Sequence, residues 1–127
     1  MLLADIDYFK TINDTHGHAL GDKVLQQVMH ELSKNLRSKD TLIRWGGDEI
    51  LIVLPSIKLD SALKMADRLR TVIESCKFQR IEEVTMSFGV VTWKKKELKT
   101  SVLRKADEQL YLAKANGRNC IFTDSVP

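Results

Sequence analysis

Arg44-Trp45-Gly46-Gly47-Asp48-Glu49-Ile50 is the stretch of this chain best equipped for chemistry. Two glycines are followed at once by two carboxylates, between Thr41-Leu42-Ile43-Arg44-Trp45 and Ile50-Leu51-Ile52-Val53-Leu54, which both read as strands. Gly-Gly between apolar, β-branched runs predicts a hairpin, because tight turns call for positive φ and glycine adopts it freely. The glycines also leave bare backbone that a bulky polyanion can approach. Taken alone, the segment also fits a solvated acidic turn. A second carboxylate pair, Asp5 and Asp7, stands at the end of a short apolar strand, two residues apart and so on one face.

The elements that must bring these pairs together follow from periodicity. Leu2 to Ile6 reads as a strand and Tyr8 to Gly17 as a polar helical turn. Asp22 offers an N-cap for a helix whose apolar positions Val24, Leu25, Val28, Met29, Leu32 and Leu36 keep a helical period. The hairpin follows and Pro55 stops it. Asp60 can cap a second helix carrying Leu63, Ala66, Leu69 and Ile73. Val84, Met86, Phe88 and Val90 alternate with Thr85, Ser87 and Gly89 as in a strand. Thr100 or Ser101 opens a third long helix through Ala115, which Gly117 closes, and Asn119 to Thr123 makes a last strand.

This order, β-α-β-β-α-β with an appended αβ, is the ferredoxin-like split βαβ plan, an α/β (α+β) fold with a mostly antiparallel central sheet flanked by helices. Its third strand inserts between the first and second. The hairpin tip then shares a sheet edge with the end of the first strand, so Asp5 and Asp7 come beside Asp48 and Glu49. Four carboxylates at one edge repel one another unless cations neutralise them. A hard divalent ion held by a few carboxylates and by substrate phosphates answers that need.

Composition sets the frame without naming a function. The 127 residues, 43% hydrophobic and 29% charged, suit a single globular domain. No apolar run reaches membrane-spanning length and no signal-peptide pattern is present. A net charge of +3, from 20 basic and 17 acidic residues, gives no support to nucleic-acid binding. Cys76 and Cys120 lack metal-type spacing and read as buried free thiols. His16, His18 and His30 have no ligand-cluster spacing, and Trp93 and Tyr111 read as packing residues.

The motifs resemble those of the GGDEF family, the diguanylate cyclases. Asp5-Ile6-Asp7-Tyr8-Phe9-Lys10 and Ile12-Asn13-Asp14-Thr15-His16-Gly17-His18, followed by Gly21-Asp22, are similar to its DxDxFK…NDxxGH stretch. Val84 to Gly89 is similar to its VTxSxG strand, and Ala106-Asp107 through Asn119 to its ADxALYxAKxxGRN ending. Ile50 stands where the signature has Phe, a packing change. The resemblance implies a palm-like, nucleotidyl-cyclase-like fold and the condensation of two GTP into cyclic di-GMP and pyrophosphate. It also implies Mg2+ as cofactor, with Mn2+ as an alternative, held by Asp5, Asp48 and the Ile6 carbonyl. Glu49 is implied in catalysis with Asp48, either as base for the 3′-hydroxyl or as a metal contact. For Asp7 the resemblance leaves two roles open, a further metal ligand or a residue that orients its neighbours.

Asn13 and Asp22 match the family's guanine readers. A carboxylate can accept from both N1–H and the 2-amino group of guanine, and adenine would leave it unpaired. Lys10, Lys114 and Arg118 match triphosphate contacts, Phe9 a backbone and packing position, and His18, Gly46 and Gly47 complete the implied substrate site. Lys114 and Arg118 also fit the basic last turn that the helix dipole favours. Five residues separate Asp40 of Arg37-Ser38-Lys39-Asp40 from Gly46, the offset of the family's inhibitory product site, and Arg68 resembles that site's further arginine.

Each domain has one guanine site while the reaction joins two nucleotides, so a transient homodimer is expected. The family's domain opens with a helix and a DxLTGLxNR stretch that residues 1–127 lack. A sensory or dimerising module is expected ahead of it, in a cytoplasmic protein or the cytoplasmic part of a membrane-anchored one. No membrane contact is expected from this segment. The rival reading is a catalytically silent GGDEF domain that binds GTP or cyclic di-GMP, and a more distant one is another palm-like nucleotidyl cyclase or polymerase fragment.

Overall fold

A computed structural model describes residues 1–124, and the last three residues of the expected 1–127 span lie outside the described residues. The chain runs β1 (Leu2–Ile6), α1 (Phe9–His16), α2 (His18–Lys34), β2 (Thr41–Arg44), β3 (Glu49–Val53), α3 (Leu59–Ser75), β4 (Met86–Val90), α4 (Lys99–Ala115) and β5 (Ile121–Thr123). These strands form one sheet in the order β2-β3-β1-β4-β5, so β3 does insert between β1 and β2. Only β4 and β5 pair in parallel.

The strand pleat sends alternate side chains to opposite faces. Leu2, Ala4 and Ile6 join Ile50, Ile52, Phe88 and Val90 in the larger core, closed by Val24, Val28 and Leu32 of α2 and by Ala66, Leu69 and Ile73 of α3. Leu3 and Leu51 face the other way, onto Val102, Ala106 and Leu110 of α4. Helices therefore cover both faces of β1, and all five of its residues are buried. Gly89 lets α4 close on the sheet: a Cβ there would lie 2.5 Å from the Ala106 carbonyl oxygen and 2.6 Å from the Leu110 nitrogen. This close approach fixes the height of α4 above β1 and so the reach of its basic end.

Several element ends differ from the sequence expectation, each for a local reason. Gly17, at φ 90°, turns the chain after α1 and the helix resumes at once at His18, so Asp22 sits inside α2 and caps nothing. Lys58 is the N-cap of α3, and Asp60 lies in the first turn, where the helix dipole favours a negative charge. Leu98 precedes α4, so neither Thr100 nor Ser101 opens it. Asn116 caps its C-terminus and Gly117 follows with φ 104°. Trp93 and Tyr111, expected as packing residues, are 45% and 71% exposed. Cys76 and Cys120 are free thiols as expected, but half-buried, and partial burial raises the pKa of both.

Candidate active site

The site begins where β1 ends. Asp5 stands opposite Glu49 in the β1–β3 register, and the Ile6 N–H donates to the Asp48 carbonyl oxygen at 3.3 Å. The hairpin closes on itself through the N–H groups of Trp45 and Gly46, both of which donate to the Glu49 carbonyl oxygen. Arg44 then clamps the turn, donating from Nη2 to the Gly47 oxygen at 2.8 Å and from Nε to the Gly46 oxygen at 3.2 Å. Sequence reasoning gave Arg44 no role.

The glycines of this turn differ from expectation. Neither Gly46 nor Gly47 has positive φ. A Cβ at Gly46 would meet only the Glu49 Cβ, at an ordinary 3.7 Å, and one at Gly47 would meet nothing within 4 Å. Neither the turn nor the packing among the described residues calls for a missing side chain. Asp48 and Glu49 are half-buried at its base rather than fully exposed.

Asp5 is 3% exposed. Its Oδ2 accepts from Lys114 of α4, and its Oδ1 is buried without a hydrogen-bond partner among the described residues. Burial first, and the adjacent Asp48 carboxylate second, push its pKa up to about 8, although Lys114 pulls the other way. A buried, orphaned carboxylate oxygen beside a second carboxylate, with one lysine to balance two charges, suits a hard divalent cation. Among the described residues no three His, Cys, Asp or Glu side chains converge on a metal position. A cation at Asp5 and Asp48 would draw further ligands from backbone, water or phosphate.

Asp7 does not join this pair. Its Oδ1 accepts from Ser87 Oγ at 2.6 Å, and its Oδ2 accepts from Thr85 Oγ1 at 2.7 Å and from the Asn119 N–H at 2.9 Å. The expected cluster of four carboxylates is thus reduced, because three donors hold Asp7 against β4 and the loop after α4. The alternation from Val84 to Val90 made Thr85 and Ser87 visible in the sequence but not their partner; β4 itself begins only at Met86. Asn119 extends the tie, donating from Nδ2 to Glu74 and accepting from Arg70 at 2.9 Å.

That loop carries Arg118, whose guanidinium lies 4.6 Å from the centre of the Tyr8 ring. Tyr8 is 61% exposed and has φ 58°. It leads into α1, where the Ile12 N–H is bonded back to the Tyr8 oxygen, leaving the amides of Phe9 and Lys10 as orphan donors of the first turn. The Phe9 side chain is buried while Lys10 is exposed. Asn13 is half-buried against Gly21, and Asp22 and His18 are exposed on α2.

Residues 1–120 match the family described as Diguanylate cyclase, GGDEF domain. The chain belongs to the GGDEF family. It is 40% identical over 126 residues to the response regulator PleD of Caulobacter vibrioides, covering 94% of this chain and 28% of PleD. It is 41% identical over 124 residues to the diguanylate cyclase DgcP of Pseudomonas aeruginosa, covering 94% of this chain and 18% of DgcP. This GGDEF domain therefore spans under a third of these curated relatives. The solved GGDEF domain of DgcB from Caulobacter crescentus, in complex with c-di-GMP, matches with a TM-score of 0.91 and 29% identity, over 96% of this chain and 75% of that one.

Away from the carboxylate edge, this GGDEF domain has a second basic site. Arg37 and Arg68 line one cavity of about 500 Å3 together with Lys58, Ser61, Lys64 and Met65. Asp40 sits behind Arg37, accepting from its Nε, its Nη2 and its backbone N–H. Burial alone would raise the Asp40 pKa, but these donors outweigh it and hold the carboxyl below its usual range. Arg37 also donates to the Pro55 oxygen at 3.0 Å, and Arg68 to Asn35 Oδ1 at 3.2 Å. Both guanidinium groups are held toward the cavity rim by these bonds.

Proposed function

We propose that this GGDEF domain is the catalytic domain of a diguanylate cyclase, condensing two GTP into cyclic di-GMP and two pyrophosphates. The observation that carries this reading is the bare Gly46-Gly47 backbone beside the Asp5–Asp48 pair. Among the described residues nothing needs those side chains to be absent, whereas a triphosphate lying along the turn would. The relatives named diguanylate cyclases point to the same chemistry.

Each new bond forms between the 3′-oxygen of one GTP and the α-phosphorus of the other, and the bond to pyrophosphate breaks. We assign the 3′-hydroxyl proton to Glu49, the first residue of β3. Lys10, Lys114, Arg118 and the amides of Phe9 and Lys10 would neutralise the triphosphate and its leaving group. Asn13 and Asp22, with His18 nearby, would bind guanine, and Gly46 and Gly47 would give the phosphates access. Asp5, Asp48 and the Ile6 carbonyl would hold Mg2+ or Mn2+. Such an ion supplies charge neutralisation and a more acidic hydroxyl when bound.

Two domains must face each other to join two nucleotides, so the active form is a homodimer. The domain draws on cytoplasmic GTP and is controlled by a module elsewhere in the full-length protein. Arg37 and Arg68 would bind cyclic di-GMP as a feedback inhibitor, with Asp40 holding Arg37 in place. Ile50 is fully buried among core residues, which supports reading its departure from the family signature as a packing change.

The test is incubation with GTP and Mg2+, followed by chromatography. Cyclic di-GMP should form from GTP, while ATP gives no cyclic dinucleotide, and Asp48→Ala and Glu49→Ala should each abolish synthesis. Near-normal product from either variant refutes the assigned roles. GTP or cyclic di-GMP binding without turnover would instead establish the silent binding domain.

A further inference from the structure

We propose that Gly21 is a positioning residue for guanine recognition, acting through the amide of Asn13. The inference rests on the GTP reading above and deepens it. Asn13 in α1 and Gly21 in α2 meet across the Gly17 corner, where the Gly17 N–H donates to the Asn13 carbonyl oxygen at 2.8 Å and the Gly21 N–H to the Gly17 oxygen at 3.1 Å. A Cβ at position 21 would lie 1.7 Å from Asn13 Oδ1, 2.9 Å from its Cγ and 3.7 Å from its Nδ2. No side chain other than hydrogen can coexist with that pose of the amide.

The identity of the crowded atoms separates this role from ordinary helix packing. At Gly89 a Cβ would strike backbone atoms of α4, so glycine there sets the spacing of two elements. At Gly21 the three nearest atoms all belong to one side chain, so glycine there protects a rotamer. A helical glycine is unfavourable relative to alanine, and its use needs a compensating gain. The fold shows no such gain, because the oxygen it shelters is itself buried without a hydrogen-bond partner among the described residues.

With its oxygen turned inward against Gly21, Asn13 has its NH2 turned away from position 21, and Asp22, the next residue along α2, is exposed. A carboxylate accepts from N1–H and the 2-amino group of guanine, and the groups flanking that pair on the base are acceptors. An NH2 so turned would complete such an edge, whereas an amide rotated by a methyl at position 21 would not.

The experiment is a double-mutant cycle on this chain, read by calorimetric titration with GDP and Mg2+, since GDP carries the base but cannot release pyrophosphate. Gly21→Ala should weaken GDP binding about tenfold, the worth of one hydrogen bond within a polar site, without lowering the melting temperature. Asn13→Ala should weaken it by a similar factor, and adding Gly21→Ala to Asn13→Ala should cost nothing more. ADP, titrated in parallel, reports phosphate binding alone, and the ratio of GDP to ADP affinity should fall in Gly21→Ala. The inference is overturned if Gly21→Ala binds GDP as the unmutated chain does. It is equally overturned if the loss, or a lowered melting temperature, persists in the Asn13→Ala background, which would mark a purely structural glycine. Failure of the unmutated chain to bind GDP at all would instead overturn the GTP reading.

Discussion

Replacing Gly47 by alanine separates what the fold needs from what a ligand needs. The added Cβ would meet no heavy atom within 4 Å, and the residue has no positive φ for a side chain to oppose. Its carbonyl remains available to the Arg44 clamp. The expected stability change is that of an unconstrained surface site, within about 0.5 kcal/mol either way. Any shift should lean toward stabilisation, because alanine restricts the unfolded chain. For a domain of this size the melting temperature should move by no more than about 2 °C. Binding should behave differently, since a methyl on the face proposed to receive phosphates would hold them off the backbone. We expect GTP affinity to fall at least about tenfold, equivalent to ~1.4 kcal/mol. Thermal denaturation followed by circular dichroism gives the first quantity, and calorimetry with GTP and Mg2+ the second. A melting point several degrees lower would show that the turn itself requires glycine. Unchanged GTP affinity would show that no ligand lies along it, and either result defeats the argument made from this turn.

Gly89→Ala should behave in the opposite way: with backbone atoms at 2.5 and 2.6 Å, α4 must lift by about 1 Å to regain ordinary contact. The cost should be about 1–3 kcal/mol or more, measured by urea denaturation, and an unchanged midpoint would refute the close-approach argument. Asp40 is a carboxyl whose pKa is depressed in the folded state, so its contribution is present above the unfolded value of about 3.9 and is lost as pH falls through the folded value. Asp40→Asn should therefore lower the melting temperature at pH 7 and have progressively less effect below pH ~4; an equal effect at both pH values would exclude the Arg37 pairing as its source. Arg37→Ala should weaken cyclic di-GMP binding and relieve product inhibition while leaving initial rates with GTP nearly unchanged. Equal cyclic di-GMP affinity in calorimetry would mean that the Arg37–Asp40 pair is only a helix-end contact.

Local pattern and composition were enough to identify the strands, the long helices and their order. The 3.6-residue period of Val24, Leu25, Val28 and Leu32 and the alternation through Met86, Phe88 and Val90 exist because each element must turn one set of side chains to a core. The strand order follows from the same information, since few topologies join such elements without crossing, and it brings Asp5 to the hairpin. Helix starts were less legible: Gly17 restarts the helix at His18, so Asp22 became a helix residue rather than a cap. What only the tertiary structure decided is the partner of each polar atom. Lys114 reaches Asp5 across 109 positions, and Asn119 reaches Asp7 across 112. Asp5 and Asp7 look equivalent in the sequence, yet Asp7 is satisfied by three donors while Asp5 keeps a buried oxygen with no partner among the described residues. Likewise Gly21, Gly47 and Gly89 are one residue type with three roles, against an amide, open space and a helix backbone. Sequence spacing specifies which face a residue occupies; hydrogen bonding, burial and steric exclusion depend on atoms brought close by packing, and so were settled only when the elements met.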